Sequence, residues 1–374
     1  MELKKYRFDE VTINFDKRRV PLSGAQRERR PGKYRYYGAQ GIIDHIDDFI
    51  FDGTYLLIAE DGENLKSKKQ NIAQVVDGQF WVNNHAHVVQ GNELCDTRYL
   101  CYLLNSMDLS GYITGSAQPK LSQANLNAVT MFLPSIDEQK KIIEYLYTLD
   151  KKIVVSQRIN DNLYAQAKAI FEDHFINLDA IPDGWRKGNL LDIANYLNGL
   201  AMQKFRPNVN EVGIPVLKIK ELRQGSCDES SELCSPNIKP EYIIRDGDVV
   251  FSWSGSLLVD IWCGGTCGLN QHLFKVSSEV YGKWFYFLWT THHLDRFVAI
   301  AADKATTMGH IKREELAKAE VLIPSDGDYN EIDSIMRPIF ELIISNRIET
   351  RKLASLRDEL LPKLMSGEFD LSSI

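Results

Sequence analysis

The chain has 374 residues and a mass of 42.7 kDa, too long for one ordinary domain and long enough for two or three. Apolar content of 44%, mean hydropathy of −0.27, six scattered cysteines and no apolar run or signal-like N-terminus exclude a transmembrane protein, argue against secretion and predict a cytoplasmic chain with reduced thiols. A net charge of −7 does not fit a protein built wholly around phosphate contacts, yet 11 basic residues against 4 acidic ones lie between Lys4 and Arg35.

From the N-terminus to about residue 135, short apolar runs broken by Gly, Pro, Asn and Asp predict strands and turns, with strands over Tyr55–Ala59 and Phe80–Val82. Arg18, Arg19, Arg27, Arg29, Arg30, Lys33 and Arg35 are interleaved with Tyr34, Tyr36 and Tyr37. Such side chains reach phosphates, guanine edges, sugars and thymine methyls, although a solvated charged face is the ordinary explanation of any one of them. His85 and His87 alternate on one strand face, and a helical piece lies around Thr97–Met107. Lys120 adds a cation in the loop Gly115–Leu121.

Ser135, three residues before Glu138, predicts a capping box that opens a helix over about 137–175. Along it Ile142, Leu146, Leu149, Ile153, Leu163 and Ile170 make a narrow stripe of period near 3.5, interrupted by Ser156 and Asn160. This is the seam of a coiled coil rather than a broad core-facing side. The rod would be roughly 58 Å long.

The next stretch repeats the grammar, with strands over Val216–Lys220 and Asp248–Phe251 and a helical piece over Lys283–His292. Its cations are Lys204, Arg206, Lys218, Lys220 and Arg223, then Lys304, Lys312 and Arg313. A second stripe follows at Ile335, Ile339, Leu342, Leu353, Leu356 and Leu360, with Asn346 and Glu349 as its polar interruption. Pro338 should delay or kink the start of that helix, and Pro362 and Gly367 should mark its end. Two such stripes most simply bury each other by antiparallel pairing.

The correspondence is a tandem repeat. Asn83–Val89 resembles Asn270–Val276, Phe132–Pro134 resembles Leu322–Pro324, and Val155–Ile159 resembles Ile344–Ile348, at offsets of 187, 190 and 189. Asp52-Gly53 resembles Asp246-Gly247 at an offset of 194. The predicted fold is α+β: two similar globular units separated by two long antiparallel helices in a coiled coil, related by a pseudo-twofold axis.

Reactive parts are missing. No Gly-x4-Gly-Lys-Ser/Thr loop and no Gly-x-Gly-x-x-Gly fingerprint occurs. Pro182-Asp183 starts no nuclease pattern, because no Glu-x-Lys follows at useful spacing. Cys227, Cys234, Cys263 and Cys267 do not have the repeated knuckle spacing of structural zinc, and the shared histidine, His85 with His272, reads as structural. No catalytic residue and no metal site is expected.

Five stretches carry a resemblance: GAQGIIDHIDDFIFDGTYLLIAEDGEN (38–64), FWVNNHAHVV (80–89), FLPSIDEQKKII (132–143), TTMGHIKREELAKAEVLIP (306–324) and LRDELLPKLMSGEFD (356–370). Together with the order of parts, they resemble the specificity subunit of type I restriction–modification systems. The resemblance implies target recognition domains over 1–135 and 179–326, each reading half of a bipartite site in double-stranded DNA, and conserved helical spacers over 136–178 and 327–374. It implies no catalysis by this chain. Two methyltransferase (modification) subunits would dock on the spacers and methylate adenine N6 with S-adenosylmethionine, and restriction subunits would supply translocation and cleavage with ATP and Mg2+. The first unit has no tryptophan matching Trp185, and Tyr6 is expected in its place. Competing readings are a related bifunctional or methylation-only system, and a coiled-coil scaffold that binds no DNA.

Overall fold

A computed structural model describes residues 2–67, 70–115, 118–303 and 311–369. The chain divides into two compact units, one of Met1–Lys151 with Ser355–Ile374 and one of Lys152–Ala354.

In the first unit a ribbon pairs Lys4–Arg7 with Thr130–Leu133, antiparallel, with Lys4 opposite Leu133. A six-stranded sheet runs in the order Thr12–Asn14, Ala86–Gly91, Phe51–Ala59, Ala73–Val82, Pro31–Gly38, Gly41–Ile46. Helix Thr97–Ser106 begins where the Asp96 carboxylate accepts the N–H groups of Arg98 and Tyr99. It buries Tyr99, Leu100, Leu103 and Leu104, whose three-to-four spacing puts them on one side, in a core shared with Leu56, Ile58 and Val89.

The second unit has the same ribbon, Arg186–Asn189 with Glu320–Ile323. Its antiparallel sheet is ordered Asn195–Asn198, Leu273–Ser277, Val249–Ser252, Leu258–Ile261. A separate sheet holds Leu233–Cys234, Ile214–Leu217, Cys267–Leu269 and Ile243–Ile244. Helix Lys283–His292 is apolar all round and buries every residue from Trp284 to Thr290 at the centre of the unit.

Strand register makes the repeat concrete. Leu56 faces Val89 in the first unit, and Val249 faces Val276 in the second. Since Val89 matches Val276, Leu56 matches Val249, one residue off the Asp-Gly alignment. The ribbons correct another expectation: Tyr6 pairs with Met131 and Gly188 with Val321, so Tyr6 stands where Gly188 does, not in the place of Trp185. Trp185 precedes its strand and donates Nε1–H to Asp328, at 2.7 Å.

The long helices are Ile136–Phe171, followed by a π-turn over Glu172–Ile176, and Asp326–Ser366. At about 1.5 Å per residue they measure roughly 54 and 62 Å. Ser135 and Glu138 cap the first reciprocally, and Ser325 with Asp328 caps the second. Within the first unit Asp150 accepts from Arg357 at 2.8 Å while Ile142 and Leu146 share a core with Leu360 and Leu364. Within the second unit Asn346 donates to Asn160 at 2.9 Å and Lys152 pairs with Glu349. In each unit, as one helix number rises its partner's falls, so the helices run antiparallel. Asn160 and Asn346, polar interruptions of the two stripes, are thus each other's partners.

Three expectations for the second helix are corrected. It starts at Asp326 and passes through Pro338, which is exposed, as is Ser334, whose carbonyl loses its N–H partner. It also passes Pro362 and stops at Gly367, whose φ of +76° favours a residue without Cβ. Ile335, Leu342 and Leu356 are exposed rather than in the seam. The buried stripe is Ile332, Met336, Phe340 and Ile343, with Ile339 packed beside the first three. Leu353 and Leu360 are half-buried. On the first helix Ile142, Leu146 and Ile153 are buried, and Leu149, Leu163 and Ile170 half-buried.

Candidate nucleic-acid interface

Of the basic residues of the first unit, Lys33 and Arg35 lie on the hairpin that the second unit's sheet lacks, and Arg27, Arg29 and Arg30 come just before it. Gly32 lies where a Cβ would be 2.3 Å from the Ile46 carbonyl, so the hairpin of Pro31–Gly38 and Gly41–Ile46 closes tightly there. The aromatic interleaving is largely inward. Tyr36, Ile46 and Trp81 form a small buried core, and Tyr37 is buried against Phe80. The arginines cover these rings: Arg27 lies 5.1 Å over Tyr36, Arg30 5.1 Å over Trp81, Arg35 5.7 Å over Tyr37 and Arg18 4.8 Å over Phe51. Carboxylates and carbonyls hold the same guanidiniums. Arg27 pairs with Asp44 and Arg30 with Asp47, while Arg35 donates to the Asp77 carbonyl and Arg18 to that of Ile50. The backbone N–H of His45 and the Arg27 guanidinium hold the Asp44 carboxyl below its usual range.

Arg19 is committed to the interior. Its guanidinium reaches Glu60 at 3.0 Å and the carbonyls of Asn84 and Ala86 at 3.3 and 2.9 Å. Beside it, Asp16 accepts from buried His87 at 2.6 Å and from the Val88 N–H at 2.8 Å. Burial alone would raise the Asp16 carboxyl, but His87, Val88 and Arg19 together outweigh it and hold the group below its ordinary value of 3.8. His85 stands in the turn before the strand, against Asp61 at 2.7 Å, so the two histidines do not share a strand face. Arg29 and Lys33 remain exposed, with Lys33 lying 5.1 Å over Tyr34. Lys120 pairs with Glu60 at 3.3 Å.

In the second unit Lys218 precedes a helix, Ile219–Gln224, that replaces the end of the expected strand and carries Lys220 and Arg223. Lys218 and Arg206 converge on Glu232, and the Lys218 ammonium, bonding directly, holds that carboxyl low. Lys220 pairs with Asp228. Lys204, Arg223 and Lys312 are exposed, and Arg313 donates to the Tyr196 carbonyl at 3.1 Å. Lys304 lies outside the described residues.

Sequence reasoning missed the residues that join head to helix. Gln139 on the first long helix accepts the N–H of Asp96, the residue capping Thr97–Ser106, at 2.9 Å. Tyr329, 190 residues on, accepts the N–H of Gly282, which caps Lys283–His292, at 2.6 Å. One contact is made twice with unlike side chains, so no shared letter marks it. Arg347 and Arg351, which grip Asp260 and Asp246, were also missed.

Among the described residues no group of three or more His, Cys, Asp or Glu side chains is placed to hold a metal, and the six thiols are free. No helix there is long and apolar enough to cross a membrane. Two units thus share a scaffold and differ in the layer that carries most of the basic candidates. A family model described as the type I restriction modification DNA specificity domain matches residues 2–165 and again residues 182–356. The chain belongs to that family.

As a type I specificity subunit it carries the DNA specificity domain twice. The type I restriction enzyme MjaIX specificity subunit of Methanocaldococcus jannaschii is 26% identical over 304 residues, covering 74% of this chain and 70% of that one. A putative type I restriction enzyme specificity subunit of Haemophilus influenzae is 33% identical over 141 residues, 38% of this chain and 36% of its own length. The crystal structure of a type I restriction–modification S subunit from M. genitalium matches with a TM-score of 0.66 at 13% identity, over 98% of this chain and 96% of that one, which shows a shared fold.

Proposed function

We propose that this specificity subunit reads a bipartite site in double-stranded DNA, one half-site through each head, over residues 1–135 and 179–326. The carrying observation is the contrast within the repeat: ribbons, central strands and helix caps recur in register, while the hairpin Pro31–Ile46 and the sheet of Ile214–Leu217 are unlike. Unlike outer layers on like scaffolds suit the reading of two different sequences. Exposed Arg29, Lys33, Lys204, Arg223 and Lys312 are the first choices for phosphate or base contact, ahead of the arginines already stacked and paired.

The segments 136–178 and 327–374, with their helices Ile136–Phe171 and Asp326–Ser366, then serve as spacers on which two modification subunits dock. Exposed Ile335 and Leu342, one heptad apart, support this, because they offer an apolar stripe to an added helix. Adenine-N6 methylation with S-adenosylmethionine belongs to those subunits, and ATP- and Mg2+-dependent cleavage to restriction subunits; this chain contributes no catalytic group. Coexpression with its modification subunits, followed by mapping of methylated adenines, tests the reading. One bipartite motif with a fixed unread gap is expected. A continuous motif, or an assembled complex that neither binds nor methylates DNA, would sink it.

A further inference from the structure

Inside the second unit, the long helix holds the recognition sheet by two forks one helical turn apart. Arg347 binds Asp260 through both nitrogens, at 2.8 and 2.7 Å. Asp260 lies on Leu258–Ile261, the outermost strand of the sheet. Arg351 binds Asp246 through both nitrogens, at 2.7 and 2.9 Å, and also donates to the Cys263 carbonyl. Asp246 leads into Val249–Ser252, the strand beside it, and accepts the N–H of Gly265 at 2.8 Å. All four side chains are about a quarter to a third exposed, so the pairs are partly screened. Their geometry matters more than their strength. One fork allows rotation about itself, whereas two forks spaced along a helix oppose both rotation and sliding of the sheet on it. The first copy does not repeat the device: Arg158 matches Arg347, but Asp161-Asn162 stands where the second copy has Thr350-Arg351.

We infer that Arg347 and Arg351 are positioning residues for specificity, which fix the angle at which the second head is presented on its helix and so the number of unread bases between half-sites. This rests on the bipartite reading above. A domain of about 150 residues has a radius of gyration near 15 Å, so a tilt of roughly 10° moves its far edge by several ångströms. One base pair advances by about 3.4 Å. Loosening the forks therefore lets the head meet its half-site one step away without altering a side chain that reads it.

The test uses the complete modification complex in a host whose methylated adenines are mapped. In R347A/R351A, sites whose gap is one base longer or shorter should be modified at least tenfold more often than with the unaltered chain, while both half-site sequences stay the same. R347K/R351K should do likewise, since an ammonium cannot form a two-point fork, and it decides the matter if the alanine variant does not fold. The exchange R347D/D260R should restore a single gap. A gap that stays unique in the lysine variant, whether or not total methylation falls, overturns the inference and assigns the forks to stability alone. An unaltered complex with no bipartite motif would instead overturn the functional reading itself.

Discussion

The two heads solve one packing problem with opposite chemistry. In each, the helix beside the sheet meets the long helix, but Arg98 of the first occupies the place that Trp284 has in the second, 186 residues later. Arg98 reaches Asp77 at 2.9 Å and lies 5.2 Å over Tyr147, partly in solvent. Trp284 is 1% exposed, stacks on Tyr329 at 5.9 Å and donates to Asp333 at 2.7 Å. Backbone register is thus what the repeat retains, and side-chain chemistry is free to change as long as each junction is filled.

The largest expected difference follows from that pair. Trp284→Ala opens a cavity and takes one donor from Asp333, which keeps Arg337 and Tyr329, and should cost about 3–5 kcal/mol. Arg98→Ala removes a screened pair and should cost about 0–1 kcal/mol. Urea unfolding followed by hydrogen exchange in each helix would measure both. Equal losses would mean that Arg98 carries as much of its junction as Trp284 does, and the chemical contrast between the heads would fall.

Next come the twin contacts at the helix starts. Tyr329→Phe leaves the Gly282 N–H without its acceptor, and Gln139→Met does the same to Asp96; each should cost about 1–3 kcal/mol. The loss should show as faster exchange at the N-terminus of the corresponding short helix. If only one variant responds, the shared junction is nominal in the other head.

Those contacts also mark the limit of what the sequence could tell. Repeat, capping boxes and most central strands were legible because they depend on local spacing and turn chemistry. The phase of the second stripe was not. Ile335 and Leu342 keep a seven-residue spacing as faithfully as a seam does, and spacing alone does not say which side of a rod is covered. The role of the arginines was hidden for another reason. Arg30 stacks on Trp81 and Arg18 on Phe51, partners tens of residues away, so a basic run interleaved with tyrosines looked like a binding surface when much of it roofs a small core.

Acid should separate the heads further. Asp16 has a folded pKa below its ordinary 3.8, so the stability it contributes is complete above about that pH and is lost as pH falls through the lower folded value. Phe274 occupies the place of His87 in the second head, which therefore lacks this pair. As pH falls below about 3.8, protection against exchange should drop along Ala86–Gly91 more than along Leu273–Ser277. In Asp16→Asn that acid-dependent difference should disappear, and its persistence would assign the acid loss to another carboxylate.

The smallest effect distinguishes reading from roofing within the first head. Arg29 and Lys33 are exposed, whereas Arg27 and Arg30 are stacked on Tyr36 and Trp81 and paired with carboxylates. If the exposed pair meets phosphates, R29A/K33A in the assembled complex should lower the slope of log affinity against log salt by about 0.9 per lost contact, roughly 1.8 in all. The free chain should lose no more than the one exposed Lys33–Tyr34 contact, about 0.5 kcal/mol. R27A/R30A should do the reverse, losing about 0.5–1 kcal/mol of stability per stacked cation with little change in slope. A base contact would behave differently again, costing about 1–3 kcal/mol at one position of one half-site while leaving the others intact. Filter binding at several salt concentrations, with the methylated motif read in parallel, separates the three. An unchanged slope and motif in R29A/K33A would leave the edge hairpin of the first head a solvated face, and the search for its DNA contacts would move to the loop around Lys120.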